Sequence, residues 1–486
     1  MNILTRRNFL RGATAAFGSA ILPPNAFGDG GKPLLKLGVL TDVHVRMVKY
    51  PDYDTEERFR RALQVMDARK VEAVLFPGDL VDTGRISQLR AFQRGWEAVF
   101  PNGRSATDGR KVERLVVTGN HDVSRRGWDS YWAQQKSMDD RLFWQDRHVK
   151  LWREIFDEEF ALAWTKEVNG IPFIGTQWKE LAPPTAEYVR EHAGKFDPKL
   201  PFIYVQHPHP TGTCHSWNDR MGVSADRGVA TAALTPFPNA VALTGHSHIT
   251  LADESAVWQG AFTSIGCGCA GTVAPTAAGD EKLYVNTGVP FGKNRERLMP
   301  SVEASQDGRC CLDIDIYADH LIVHRHSLTF EKPLGEDWCV PLPAAVDGPL
   351  SFKARKAKRS APAFAASDRI VVDFCEKAPE IAGTAWRGQK PCVRVTFPHA
   401  QTVDGCRVYD YEIVATSEGK ELFSRRLVDF GFAVPESKAN RTNVYLVDPA
   451  DFPSGKEVVF SVTPCDCFGT AGRPLVSQSF VRPSIC

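Results

Sequence analysis

Five short apolar runs, each ending in a cluster of polar residues, constrain the chain more than any other feature. The runs are Leu35–Leu40, Val71–Phe76, Leu115–Val117, Phe202–Val205 and Val241–Leu243. The clusters after them are Asp42-x-His44, Gly78-Asp79-x-x-Asp82, Gly119-Asn120-His121-Asp122, Gln206-His207 and Gly245-His246-x-His248. Amphipathic stretches separate the runs, which predicts buried strands packed between helices. Because ligands gather at the carboxyl ends of strands in open α/β sheets, we expect the clusters to converge.

Two helices are predicted between these runs. Asp54 followed by Glu57 has the pattern of a capping box, and the apolar residues from Phe59 to Met66 recur at helical spacing. Ile86–Phe100 is a second helix by the same criterion.

The polar clusters have the composition of a metal centre. Carboxylate oxygens, one amide oxygen and imidazole nitrogens suit Fe, Mn or Zn, and the lack of thiolates argues against a purely structural zinc site. Alternate residues of an extended segment share a face, so the pairs Asp42 with His44 and His246 with His248 can both chelate. A single Asp or Glu can also bridge two cations.

In this order the five motifs resemble the calcineurin-like metallophosphoesterase superfamily, whose pattern is D-x-H, G-D-x-x-D, G-N-H-[DE], H and G-H-x-H. The resemblance covers roughly Lys36–His248 and implies an α/β fold, a four-layer αββα sandwich with a double ψ-turn. It also implies two divalent or trivalent metal ions (Mn, Fe or Zn). The implied ligands are Asp42, His44 and His248 for one ion, Asn120, His207 and His246 for the other, and Asp79 as the bridge.

The implied activity is hydrolysis of a phosphomonoester or phosphodiester by metal-activated hydroxide. Two cations about 3.5–4 Å apart activate water and neutralise the phosphoryl oxygens. His121 resembles the family histidine that is not a ligand and that assists the leaving group, and Asp122 is a candidate to hold its ring. The alternative is a non-catalytic extracytoplasmic protein that holds metals and binds another ligand. Retention of His121 favours the enzyme.

Departures from relatives narrow the enzyme subtype. Asp82 stands where purple acid phosphatases carry a tyrosine, and Asp122 where many nucleotidase relatives carry glutamate. A purple enzyme is therefore not expected, and a nucleotidase is disfavoured.

At 486 residues the chain is long enough for two folded units. The first is expected at 34–335, followed by a linker at 341–366 that is rich in Pro, Ala, Lys and Arg. Short strands separated by turn residues then predict a C-terminal β-sandwich domain at 368–486, similar to fibronectin type III. Shorter alternating runs, including Cys311–Ile316 and Leu321–His324, suggest a second sheet that closes the first domain.

The N-terminus is predicted to be an export signal. Arg6 and Arg7 precede a mildly apolar stretch and a small-x-small ending, which resembles a twin-arginine signal peptide at 1–28. The alternative is a basic amphipathic helix. The export signal predicts a periplasmic or secreted protein.

Net charge and hydropathy limit the classes of partner that the chain is expected to have. With 59 Lys and Arg against 58 Asp and Glu, the net charge is +1, so neither nucleic acid nor an anionic membrane is an expected partner. No apolar run is long enough for a membrane span. A small phosphoester substrate is expected, and the oligomeric state stays open.

Several other residues keep two interpretations. His209 and His215 either line the pocket or are exposed loop residues, and Arg125 with Arg126 either binds phosphate or is solvated. The stretch 123–201 is a lid or an extra packed helix. The chain has 12 cysteines, and we expect some disulfides in its C-terminal half.

Overall fold

The computed structural model describes residues 31–46, 54–123, 150–178, 186–214, 227–271, 297–298, 308–377, 391–403, 406–429, 431–435, 437 and 442–483. The predicted signal peptide, His215, Arg125 and Arg126 lie outside the described residues. No helix in the described ranges combines the length and the hydrophobicity that crossing a membrane requires.

The first domain contains two mixed sheets. The first sheet consists of β1 (Leu35–Val39), β2 (Ala73–Pro77), β3 (Glu113–Val117), β11 (Cys310–Ile316), β12 (His320–Ser327), β13 (Lys332–Pro333) and β14 (Trp338–Pro341). The second consists of β4 (Ala163–Val168), β5 (Ile171–Thr176), β6 (Phe202–Val205), β7 (Ala240–Thr244), β8 (Val257–Gln259) and β9 (Thr263–Gly266). Strands β1, β2 and β3 are parallel neighbours, as are β5, β6, β7 and β9.

Apolar side chains of both sheets share one buried core. Val39 and Leu75 of the first sheet belong to the same cluster as Val205 and Leu243 of the second. Each Å² of buried apolar surface contributes about 25 cal/mol, so the burial of these side chains is the main force that holds the sheets together. The ends of β1, β2, β3, β6 and β7 are therefore held in one compact unit.

Helices cover the outer faces of both sheets. The helices are α1 (Thr55–Ala68), α2 (Ile86–Val99), α3 (Ala186–Ala193), α4 (Val229–Leu234) and α5 (Phe352–Ala357), and residues 150–156 are also helical. Short 3₁₀ turns lie at Pro101–Gly103, Glu254–Ala256 and Pro449–Asp451. Phe59 of α1 stacks on Phe92 of α2 above the first sheet, and α3 and α4 pack on the second. The predicted cap of α1 forms, because Asp54 accepts hydrogen bonds from the N–H groups of Glu56 and Glu57.

One prediction about the first domain is wrong. Strands β11 and β12 extend the first sheet, since β11 pairs antiparallel with β1, and they do not build a second one. The second sheet is instead built around β6 and β7, and the hairpin β4–β5 joins it at β6. The described part of 123–201 supplies two strands together with the helical residues 150–156 and α3, which agrees with the interpretation of an extra packed helix.

The C-terminal region has two further sheets. One contains β10 (Arg297–Leu298), β17 (Val408–Ser417), β18 (Lys420–Val428), β20 (Glu457–Asp466), β21 (Leu475–Val476) and β22 (Phe480–Val481). The other contains β15 (Val371–Cys375), β16 (Cys392–Pro398) and β19 (Thr442–Val447). Side chains of both sheets form one buried cluster, which is consistent with a β-sandwich.

The segment predicted as a linker has structure of its own. It contains α5, and the Arg355 side chain of that helix is completely buried. Its guanidinium donates to Glu254 Oε2 at 2.9 Å and to the Val257 carbonyl at 2.8 Å. Through Arg355, the segment 341–366 therefore contacts the first domain, and its role as the connection to the C-terminal domain stays a prediction.

Candidate metal centre

The five polar clusters meet where the two sheets end on the same side. Those after β1, β2 and β3 come from the first sheet, and those after β6 and β7 come from the second. Backbone hydrogen bonds join the loops, for example from the Asp42 N–H to the Gly78 carbonyl at 3.1 Å and from the Gly245 N–H to the His207 carbonyl at 2.9 Å. The convergence expected from parallel strand ends is therefore present, across two sheets.

The predicted ligands form two groups that share one residue. Asp42, His44, Asp79 and His248 bring their ligand atoms within 4.8 Å of one another, and so do Asp79, His207 and His246. Only the Asp79 carboxylate belongs to both of these groups. It thus has the position that the family pattern gives to a bridging ligand.

Ligand nitrogens and oxygens approach closely in the first group. His248 Nε2 lies 3.1 Å from Asp42 Oδ1 and 3.1 Å from His44 Nε2. In the second group, His207 Nε2 lies 3.2 Å from Asp79 Oδ2 and 3.2 Å from His246 Nδ1. Imidazole nitrogens that face one another and a carboxylate match the donor set of a bound cation.

Asn120 supplies an independent sign that a cation fits. Its side-chain oxygen is buried and accepts no hydrogen bond from the residues that the structure describes. A buried amide oxygen without a partner costs about 1–3 kcal/mol, and a metal ion would remove that cost. The residues present therefore fit a dinuclear centre.

Backbone conformation directs these side chains inward. Asp42, His44, Asp79, His246 and His248 have φ between 50° and 72°, in the left-handed region. Non-glycine residues occupy this region rarely, and Asp and His tolerate it better than most. Asp42 is held in place by the His246 N–H, at 3.0 Å from Oδ2, and by the Thr41 hydroxyl at 2.7 Å. Strain of this kind persists only where the surroundings fix it.

Buried charges are coupled across the centre. Burial would raise the pKa of Asp42, but the imidazoles of His248 and His207 lower it well below its ordinary range. Burial would lower the pKa of His207, but the carboxylates of Asp79 and Asp42 raise it to about 9. The Asp42 and Asp79 carboxylates thus stay ionised and available to cations, whereas the His207 imidazole must lose a proton to bind one.

One nitrogen of His207 is already engaged outside the centre. His207 Nδ1 donates to the Pro77 carbonyl at 2.6 Å. This bond selects the tautomer whose Nε2 is free to act as a ligand, and it links the two sheets at their ends. The Gly78 backbone passes so close that a Cβ there would lie 2.6 Å from His207 Cγ.

The structure places Asp122 differently from the prediction. Its carboxylate accepts hydrogen bonds from the N–H groups of Val81 at 3.0 Å and Gly119 at 2.8 Å. His121 Nδ1 instead donates to the Asp82 carbonyl at 2.6 Å. Burial and the nearby Asp79 raise the pKa of Asp122 to about 7. Asp122 therefore holds the loops together, and the backbone of Asp82 holds the His121 ring.

Several residues near the centre were not selected from the sequence. Asp82 Oδ1 lies 3.5 Å from His44 Nδ1, and its position in the G-D-x-x-D motif was the available signal. His209, for which the sequence allowed two interpretations, is fully buried. Its Nε2 lies 2.8 Å from the hydroxyl of Ser247, the residue between the predicted ligands His246 and His248 in sequence. The Trp178 ring lies 5.4 Å from that of His246 and follows β5, a strand that the sequence did not reveal.

Another group of ligand-type side chains lies on the outer face of the first sheet. Asp313, Asp315 and His324 cluster there. Arg69 forms a bidentate ion pair with Asp313, and Lys36 Nζ lies 2.9 Å from Asp315 Oδ1. These cations neutralise the carboxylates, so we interpret the cluster as an ion-pair network.

Gly119 allows the first sheet to present Asp79. A Cβ at Gly119 would collide with Asp79 Oδ1 and would lie 2.5 Å from the Asp79 backbone nitrogen. We expect Gly119→Ala to displace the carboxylate and to lower kcat/KM for an aryl phosphate by roughly 10- to 100-fold, since small misplacements of reacting groups have effects of this size. Gly31→Ala is the control, because a Cβ there meets nothing within 4 Å. Equal kcat/KM values for both variants and the unaltered protein would contradict this role of Gly119.

Comparison with known proteins agrees with this geometry. Residues 35–250 match the family model described as calcineurin-like phosphoesterase. The match includes every predicted ligand. No curated protein matches the chain in sequence.

Among solved structures, the chain is similar to a dimetal phosphatase from Danio rerio, with 13% identity, a TM-score of 0.34, and 64% of this chain and 99% of that one covered. It is also similar to a purple acid phosphatase from yellow lupin (Lupinus luteus) seeds, with 11% identity, a TM-score of 0.41, and 63% and 53% covered. These similarities are weak. The assignment rests on the family match and on the site.

Proposed function

We propose that the chain, whose residues 35–250 match the calcineurin-like phosphoesterase family model, is an exported metal-dependent phosphoric ester hydrolase. The substrate is a small phosphomonoester or phosphodiester. The observation that carries this proposal is the convergence of two ligand groups on Asp79, with His121 beside them. The proposed catalytic residue is His121, and Asp122 is proposed only to position the loops of the centre through the N–H groups of Val81 and Gly119.

Seven residues would hold the two cations. Asp42, His44 and His248 serve one, Asn120, His207 and His246 the other, and Asp79 both. When bound, such a pair activates water and neutralises charge on the phosphoryl oxygens. The donor set of oxygens and imidazoles suits Mn, Fe or Zn.

His121 is positioned to assist the leaving group. The Asp82 carbonyl accepts its Nδ1–H, so Nε2 is the nitrogen that can exchange a proton with substrate. Its ring meets that of His44 edge-on, with centroids 4.6 Å apart, which places it at the border of the first ligand group. The His121 N–H also donates to Asp79 Oδ1 at 2.8 Å, so one segment orients both the proton donor and the shared carboxylate.

Export and the nature of the C-terminal domain are part of the proposal. Arg6 and Arg7, followed by a mildly apolar stretch, support twin-arginine export and a periplasmic or secreted location. The two packed sheets after α5 support a β-sandwich, for which we propose a fibronectin type III-like arrangement.

Metal reconstitution tests the function directly. The purified protein is stripped with a chelator, reloaded with Mn, Fe or Zn, and assayed with a mono-aryl and a bis-aryl phosphate. We expect two ions per chain and at least a ~10³-fold rise in hydrolysis on reloading, because the charge stabilisation that cations supply is worth several kcal/mol. Two bound ions without hydrolysis of either ester under any metal would favour the non-catalytic alternative.

A further inference from the structure

Two cysteines face each other at one end of the C-terminal sheet. Cys406 precedes β17 and Cys467 follows β20, and these strands are antiparallel neighbours in which Val408 lies opposite Asp466. Their Sγ atoms are 3.7 Å apart. Both side chains are buried, with 1% and 3% of their surface exposed. The strand pairing therefore brings together two thiols that are 61 residues apart in sequence.

The distance suits a disulfide. Bonded sulfur atoms are ~2.0 Å apart, and these two Sγ atoms already lie within 3.7 Å of each other. Cys406 Sγ lies 4.0 Å from both the Arg407 carbonyl and Asp466 Oδ2, farther than it lies from Cys467 Sγ. No metal-binding group found among the described residues includes either cysteine. A covalent cross-link is the chemistry that this pair is arranged for.

The pair lies where the C-terminal domain meets the first domain. Cys406, Cys467 and Phe468 share a hydrophobic cluster with Phe352 of α5, and Trp258 of β8 packs against it. Phe468 lies beneath the guanidinium of Arg355, which is 4.9 Å from its ring centroid. The turn that carries Cys467 and Phe468, here named the docking turn, therefore contacts the helix that docks on the first domain.

We propose that Cys406 and Cys467 form a disulfide that fastens the docking turn when the protein matures in an oxidising compartment. The two thiols release two protons and two electrons, and one S–S bond forms. The oxidant is a disulfide of a small thiol or of a thiol–disulfide oxidoreductase, which is reduced to two thiols. The bond lowers the conformational entropy of the unfolded chain, because it closes a loop between residues 61 apart in sequence. It also holds Phe468 against α5.

Burial dictates when the exchange occurs. The thiolate is the reactive form, and burial raises the pKa of Cys467 well above its ordinary value. Exchange is therefore slow in the docked state and fast before the turn docks or when it opens locally. In the structure all eleven described cysteines are free thiols, so the expected C-terminal disulfides are not seen.

Oxidative refolding of the full chain tests the proposal. Reduced, unfolded protein is refolded with a mixture of reduced and oxidised glutathione or with dithiothreitol, and free thiols are then alkylated and mapped by mass spectrometry. We expect a peptide containing linked Cys406 and Cys467 only after oxidative refolding, together with a melting temperature raised by about 10 °C. Quantitative alkylation of both residues after oxidative refolding would overturn the proposal.

Variants separate this bond from other thiol chemistry. Cys406→Ser and Cys467→Ser should each abolish the difference between the melting temperatures of oxidised and reduced protein. Cys214→Ser is the matched control, because that thiol is buried in the first domain, and it should keep the difference. If the serine variants fail to fold, peptide mapping of the unaltered protein still decides the matter. Hydrolysis is not a readout here, so the result is independent of the proposed activity.

Discussion

Replacing Asp79 by Asn is expected to remove metal binding and hydrolysis together, lowering kcat/KM for an aryl phosphate by ~10³-fold or more. Asp79 is 1% exposed and belongs to both ligand groups. Asn keeps the size of the side chain but removes the negative charge that two cations would share. Its amide would also present a donor to the ring nitrogen of His207, which lies 3.2 Å from Asp79 Oδ2. Both ion positions therefore lose their common anchor.

The measurement pairs metal content with kinetics. Metal per chain is determined by elemental analysis of the variant after reloading, and kcat/KM is measured on the same sample. Asp108→Asn is a matched control, because Asp108 lies on an exposed turn where it pairs with Lys70 and Arg110, and its variant should retain both properties. An Asp79→Asn protein that still holds two ions would refute the shared position of this carboxylate.

The ends of the strands were predictable because they depend on local patterns. Phe202–Val205 is a strand with the predicted bounds, and the carboxyl ends of β1, β2, β3 and β7 lie within a residue of the predicted ones. Apolar runs followed by glycine and acidic residues are decided by a few neighbouring positions. This is why the residues of the candidate centre could be selected from five separate segments.

The assignment of strands to sheets could not be predicted from such local sequence patterns. The alternation in Cys311–Ile316 is that of any strand with two different faces. It does not say that Leu37 is the partner of Ile314, a pairing that spans most of the first domain. Similarly, only Val168 of the strand Ala163–Val168 is buried and its middle residues are exposed, so the hairpin with β5 left a weak signal. Long-range pairing decides both cases.

The orientation of the side chains within the centre could not be predicted from the sequence either. Asp122 directly follows His121, yet neighbours in a turn need not contact each other through their side chains. The Asp122 carboxylate satisfies the N–H groups of Val81 and Gly119, while Asp82, distant in sequence, approaches His121. The left-handed conformations of Asp42 and His248 likewise arise from the surrounding loops. Motifs name the residues of a site, and packing sets what each one faces.

Replacing His121 by Gln is expected to slow esters with poor leaving groups by ~10²–10⁴-fold while leaving metal content unchanged. His121 touches the shared carboxylate through its backbone N–H, which Gln retains. The loss is confined to the ring, whose Nδ1 is fixed by the Asp82 carbonyl and whose Nε2 is left for the substrate. A nitrophenolate leaves without protonation, whereas an alkoxide requires a proton donor. The slowing should therefore be less than ~10-fold for a nitrophenyl ester.

The comparison of leaving groups is what isolates this role. A series of aryl and alkyl phosphates is assayed, and log kcat/KM is plotted against the pKa of the leaving alcohol, where the variant should show the steeper dependence. His192→Gln is the matched control, since His192 lies on α3 and donates to the Tyr188 carbonyl away from the centre, and its plot should coincide with that of the unaltered protein. Equal slowing of every ester by His121→Gln would instead mean that His121 orients Asp79 or the phosphoryl group, because only proton donation depends on the basicity of the leaving oxygen.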